Sequence, residues 1–238
     1  MNIAVCVKQV PNTAKMRIDP DSNTLIREGV ESILNPLDEF PLEAALRLRE
    51  KVGGKVSVFS MGPPQATGVI HKTIAMGADT GYLLTDKKFA GSDTWATSII
   101  LANVLRKYGP FDLILCGKQA IDGDTGQVGP GIAAHLNLPG VTFVTDIATP
   151  SQHGKDDKLV VKRMLEEMSA QLEVRLPAVL TVLKEANEPR LPTLSGRLKA
   201  FEYKVPIITA VFTMYGQKPV PNSHTPTGRI STRFPTLL

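Results

Sequence analysis

The chain has 238 residues, 42% hydrophobic and 21% charged, a balance that suits one soluble α/β domain and argues against wholesale disorder or a membrane-embedded protein. Its formal charge of +4, from 27 Lys and Arg against 23 Asp and Glu, is interleaved with acids as in Glu43 to Lys51, which speaks against a nucleic-acid footprint. The two cysteines, Cys6 and Cys116, lie in separate apolar runs and make neither a CxxC pair nor a disulfide framework, which fits a reducing, cytoplasmic compartment. The opening Ile3-Ala4-Val5-Cys6-Val7 has no basic leader and is too short for a signal peptide, and no stretch nears the ~20 apolar residues needed to span a bilayer.

In chain order, short apolar runs alternate with amphipathic segments, the pattern of a mostly parallel sheet covered on both faces. Strands are predicted at Asn2 to Lys8, Val56 to Ser60, Thr80 to Leu84, Leu113 to Cys116, Val141 to Thr145 and Ala178 to Leu183. The first main helix is predicted over Glu39 to Lys51, with Phe40, Ala44 and Leu48 on one face, Asp38 as N-cap and Pro41 in the first turn. Val69 to Met76, Ser92 to Tyr108 with Ser92 as N-cap, and Val128 to Leu136 follow. Two excursions interrupt the alternation: a hairpin within Lys15 to Arg27, and an antiparallel addition within Lys158 to Val174. From Asn187 the character changes. Asn187 to Gly196 is too Pro-rich for a helix or central strand, and residues 216 to 238 lack periodicity. Residues 1–186 are therefore read as an α/β domain, and 187–238 as a C-terminal extended arm, ordered only where it lies on something else.

In a doubly wound sheet, ligands bind beyond the carboxyl ends of the strands. That rule selects Cys6 to Lys8, Asn35 to Asp38, Ser60 to Pro63 and Gly117 to Gly129. The last follows a buried strand and opens a helix. Its glycines allow close backbone approach, and the N–H groups at the helix start attract phosphate oxygens. It is neither GxGxxG nor GxxxxGK[ST], so the standard dinucleotide and triphosphate motifs are absent. Carboxylates repel phosphate, so Asp122 and Asp124 either orient loop amides, accept from sugar or base, or simply stabilise the loop. Lys8 and Lys118 offset nucleotide charge, while Gln119, Thr125 and Gln127 offer neutral hydrogen bonds; loop solvation is the alternative for each. His71, His135, His153 and His224 lack metal-ligand spacing, and there is no GxSxG nucleophile elbow.

Cys6-Val7-Lys8-Gln9-Val10-Pro11, Asn35-Pro36-Leu37-Asp38, Ala75-Met76-Gly77-Ala78-Asp79, Gly117-Lys118-Gln119-Ala120-Ile121-Asp122 and Asn187-Glu188-Pro189-Arg190 together resemble the beta subunits of electron-transferring flavoproteins, in the same order and over roughly residues 1 to 204. The resemblance implies a flavodoxin-like, adenine nucleotide hydrolase-like α/β fold. It also implies a heterodimer with a larger alpha subunit and a nucleotide at the sheet's carboxyl edge. In the simpler branch that nucleotide is AMP. In the bifurcating branch it is a second FAD that accepts hydride from NADH and divides electrons between ferredoxin and an acyl-CoA dehydrogenase-like flavoenzyme. The run Asp122-Gly123-Asp124-Thr125-Gly126-Gln127-Val128-Gly129-Pro130 looks like the bifurcating branch. The implied cofactor contacts are Cys6, Asn35, Pro36, Leu37, Asp38, Met61 and Gly117 to Val128. The implied docking residues are Pro189, Arg190, Leu194 and Lys199, Leu194 being the exposed anchor. No catalytic residue and no metal ligand of the protein's own is expected, since flavin carries the redox work. Two alternatives stand beside this one: an AMP-holding, non-bifurcating subunit, and a free-standing adenine-nucleotide-binding protein of similar fold.

Overall fold

The computed structural model describes residues 1–12, 17–18, 25–26, 31–148, 158–166 and 168–210. The chain opens with β1 (Asn2–Val7), β2 (Gln9–Pro11), β3 (Arg17–Ile18), β4 (Leu25–Ile26) and β5 (Ser32–Leu34), then α1 (Glu39–Val52), β6 (Lys55–Met61), α2 (Thr67–Met76) and β7 (Thr80–Leu84). It continues through α3 (Thr94–Tyr108), β8 (Leu113–Gly117), α4 (Val128–Leu136), β9 (Gly140–Ile147), β10 (Lys158–Met164), β11 (Ser169–Arg175), β12 (Ala178–Val182), α5 (Leu194–Glu202) and β13 (Ile207–Ile208).

Nine strands form one sheet in the order β11-β10-β9-β12-β8-β1-β6-β7-β13. All neighbours are parallel except at β10, which runs antiparallel to both β9 and β11. Side chains alternate between the faces of each strand. Ile3, Val5 and Val7 therefore join Leu42, Leu46, Ile70 and Ile74 beneath α1 and α2, while Ala4 and Cys6 join Leu101, Leu105 and Ile132 beneath α3 and α4. Both faces are covered, so the sheet is doubly wound and mostly parallel, as its near-continuous apolar strands lead one to expect. Among the described residues, no helix is long and apolar enough to cross a membrane.

Local departures from the sequence reading have local causes. A 3-10 turn over Pro36–Asp38 leads into α1, and Asp38 makes no side-chain cap there because its carboxylate is engaged elsewhere. Helix α3 begins two residues later than expected: the Asp93 side chain accepts from the Ala96 N–H at 2.8 Å, whereas Ser92 Oγ donates to the Phe89 carbonyl. The Pro-rich stretch gives way to a helix at Leu194, because Pro189 and Pro192 both precede the N-cap, where prolines do no harm. Thr193 Oγ1 caps α5 by accepting from the Gly196 N–H at 3.0 Å. A Cβ at Gly196 would collide with the Ala75 carbonyl, so glycine there lets α5 lie close on α2. Past α5, β13 pairs in parallel with β7 and closes that edge of the sheet. Of the expected first hairpin, the described strands β3 and β4 pair antiparallel. The proposed aperiodic tail, 216–238, lies outside the described residues.

Candidate functional site

From β1 the chain winds outward through β6 and β7, then returns to place β8 on the other flank of β1. The carboxyl ends of β1 and β8 therefore flank the switch point, where the connections diverge and where folds of this class form their ligand crevice. Two buried polar side chains from the turn before α1 organise it. Asn35 donates from Nδ2 to the Gln119 carbonyl at 2.9 Å, and its Oδ1 accepts from the Ile121 N–H at 3.3 Å. Asp38 Oδ2 accepts from the Lys8 N–H at 2.8 Å, and the Gly117 N–H also donates to this carboxylate. Asp38 thus ties the end of β1 to the end of β8.

Burial pushes the Asp38 carboxyl up to about 7, against the lowering effect of the Lys8 amide, Asn35, the Lys8 charge and the Gly117 amide. A Cβ at Gly117 would strike Asp38 Oδ1 and sit 2.7 Å from the Leu37 carbonyl oxygen, so the end of β8 needs glycine for this close approach.

The loop from β8 to α4 is held from both sides. Lys8 Nζ donates to both carboxylate oxygens of Asp122 at 2.8 Å. Gln119 Nε2 donates to Asp124 Oδ1, and the Asp124 N–H donates to the Ala120 carbonyl at 2.9 Å. Asp124 adopts φ 53 and Gly126 φ 63, left-handed conformations that coil the loop back toward α4. Of the readings open for the two acids, stabilisation of the loop matches these side-chain bonds. Gly123 faces open space, and Thr125 and Gln127 stand exposed. Gln127 provides no side-chain cap to α4, and Pro130 has no N–H, so the first turn presents the amides of Val128 and Gly129 toward the loop.

The other expected site residues lie around this crevice. Pro36 is exposed and Leu37 half-buried in the turn, while Met61 ends β6. Cys6 and Cys116 are register partners on β1 and β8, both buried and free. The hydrogen bond with Cys6, together with burial, pushes the Cys116 thiol well up, so the pair is a packing feature rather than a nucleophile. Lys118 lies 5.8 Å from the ring centroid of Phe143 on β9. Phe143 was missed in the sequence, where it reads as one more strand residue. Its signal is conformational: φ is 62.

The expected docking residues fall on a second surface. Leu194 is 77% exposed at the first position of α5, and Leu198 and Phe201, four and seven residues on, are also exposed on that helix. Arg190 is engaged within the chain: Nε donates to Glu43 Oε2 at 2.8 Å and Nη1 to Glu50 Oε1 at 2.5 Å. Burial would raise the Glu43 carboxyl, yet hydrogen bonds from Arg190 and Arg47 hold it below the usual carboxylate range. Lys199 Nζ donates to the Ala78 carbonyl at 3.4 Å, and Pro189 lies half-buried before Arg190.

Fold and crevice place the chain in the class of doubly wound α/β proteins whose ligand site is the switch point of a parallel sheet. The model of the electron transfer flavoprotein domain matches residues 22–210. The chain is 52% identical over 211 residues to the electron transfer flavoprotein subunit beta of Thermoanaerobacterium thermosaccharolyticum, covering 88% of this chain and 79% of that one. It is 49% identical over 208 residues to the caffeyl-CoA reductase-Etf complex subunit CarD of Acetobacterium woodii, covering 87% and 78% of the two chains. Protein FixA of Azorhizobium caulinodans is 46% identical over 214 residues, covering 88% and 75%. The chain belongs to the electron transfer flavoprotein family, as a chain of the beta-subunit kind.

Proposed function

We propose that this chain is the beta subunit of a cytoplasmic, bifurcating electron-transferring flavoprotein. In this reading it binds FAD in the crevice beside β1 and β8. It works with an alpha subunit to pass electrons among NADH, ferredoxin and an acyl-CoA dehydrogenase-like flavoenzyme. The observation that carries the reading is the β8–α4 loop. Of its two carboxylates, Asp122 is neutralised by Lys8 and Asp124 accepts from Gln119, so the amides at the start of α4 stand as the natural anchor for a pyrophosphate. Likeness to a subunit of a caffeyl-CoA reductase-Etf complex supports a redox partner that acts on a CoA thioester.

Flavin, when bound, supplies the exchange between two-electron and one-electron chemistry. The chain's own residues position it. Asn35 and Asp38 fix the loop backbone, Gly123 leaves room for a ring or ribose, and Lys8 keeps net negative charge off the crevice mouth. Cys6 and Met61 form the apolar floor at the strand ends, where Cys6 belongs to the buried core and Met61 packs against it.

The same anchor suits the smaller AMP, because a single phosphate at the start of α4 uses the same amides. The exposed Leu194, Leu198 and Phe201 argue against a free-standing nucleotide binder, since a chain that works alone has no use for such a surface. Purifying the chain with its alpha subunit and counting flavin and released nucleotide decides the matter. Two FAD per heterodimer is the expected result; one FAD with one AMP would overturn the bifurcating assignment.

A further inference from the structure

Phe143 is held in a conformation that a bulky side chain rarely adopts. Its φ of 62 lies in the left-handed region, and such outliers persist only where the surroundings enforce them. Here the cause is a bulge. Leu180 of β12 aligns with Val141 of β9 and Val182 with Val144, so β9 carries an extra residue across this step. The displaced Phe143 N–H donates to Thr181 Oγ1 at 3.1 Å, and Arg163 secures the neighbouring Thr142 Oγ1 at 3.1 Å. None of this buries the ring: Phe143 is 39% exposed and belongs to neither hydrophobic core cluster.

Its place is specific. Gly117 aligns with Val182, and Val182 with Val144, so Phe143 stands at the height of the carboxyl end of β8. Lys118, the first residue of the β8–α4 loop, brings its ammonium to 5.8 Å from the ring centroid. A strained strand therefore presents a partly exposed aromatic ring at the carboxyl edge, with the ammonium of Lys118, from the loop before α4, over one face of it.

We propose that Phe143 is the aromatic wall of the crevice, a ligand-contacting residue that stacks on the planar ring system of the bound flavin with Lys118 alongside. The inference rests on the FAD reading above. Apolar packing alone would have placed the side chain inward in an unstrained strand; a bulge that turns it outward is accounted for by a flat partner.

The test uses the full chain purified with its alpha subunit. Phe143→Leu keeps apolar bulk and the same backbone demand but removes the ring. It is expected to weaken retention of this site's flavin by about tenfold, the scale of one aromatic stacking contact, and to shift its visible absorption band. Phe143→Tyr is expected to restore both. Flavin retention and visible band unchanged in Phe143→Leu would overturn the proposal, as would a variant that loses the alpha subunit while keeping its flavin. Should Phe143→Leu fail to fold, Lys118→Met probes the same wall from an unstrained position, and a visible flavin band that it leaves unmoved would equally overturn the proposal. A wild-type heterodimer with no second flavin overturns both this inference and the FAD reading. A second flavin indifferent to Phe143 overturns this inference alone.

Discussion

The crevice at the carboxyl edge and the outer face of α5 invert the usual placement of side chains in opposite ways. At the crevice, polar groups are buried: Asn35 and Asp38 lie inside and grip backbone amides and carbonyls. On α5, large apolar groups are outside, with Phe201 90% exposed, while the ion pairs that hold the preceding segment run beneath. Interior apolar and exterior polar residues need no explanation beyond folding, so the two inversions are where the function proposed above puts the molecule's contacts. They also differ in kind. The first ties loop backbone together at one edge of the sheet, and the second leaves a strip of apolar side chains in solvent.

Four substitutions would sharpen or break that contrast. Gly117→Val should be the most damaging, because its Cβ meets the Asp38 carboxylate and the Leu37 carbonyl inside the crevice wall. A loss of about 3 kcal/mol in denaturant unfolding is expected, the upper range for overpacking. An unchanged midpoint would show that Asp38 does not clasp the end of β8. Arg190→Leu should follow, at about 2 kcal/mol, because buried Glu43 keeps, among the described residues, only Arg47 as a charged partner. If the melting temperature holds, the segment before α5 is secured by something other than this ion pair.

The third concerns pH. Burial raises the Asp38 carboxyl to about 7 in the folded chain, so the folded state binds the extra proton between the unfolded value of 3.8 and about 7. The contribution of Asp38 to stability is therefore full below the unfolded value and is lost as pH rises through the folded one. Urea midpoints of Asp38→Asn measured at pH 5 and pH 8 should show a smaller fall with pH than those of the wild type; parallel falls would place the titrating group elsewhere. Smallest for stability is Leu194→Ser, expected within about 0.5 kcal/mol of wild type because the side chain is exposed. Its effect should appear in reduction of a dehydrogenase partner, which is expected to slow; an unaltered rate would remove Leu194 from the docking surface.

What could be read from the sequence follows the range of the interactions involved. Buried parallel strands are runs of apolar residues, so Thr80 to Leu84 emerged with its observed bounds. Val128 to Leu136 did likewise, since a helix between a glycine-rich loop and Pro139 is signalled locally. Helix α5 was hidden because Pro189 and Pro192 dominate the local signal, although Thr193 supplies a cap. Asp38 had the right neighbours for an N-cap, and only the folded sheet shows its carboxylate bound to the amide of Lys8, 30 residues earlier. Arg190 meets Glu43 across 147 residues, a pairing that no local pattern can reveal. That loops at strand ends gather at one edge could be read from the alternation of strands and helices; which backbone groups Asn35 and Asp38 hold there became visible only with the chain closed.

The position of β12 has a consequence for how the molecule is made. Strands β8 and β9 are joined directly through α4, yet they do not pair, because β12 lies between them and bonds to both. Until residues 178–182 arrive, β9 to β11 can form only a separate antiparallel sheet, detached from β8, β1, β6 and β7. The last long strand synthesised is thus the keystone of the sheet, and a nascent chain cut short before it holds two half-sheets with raw edges instead of one continuous layer.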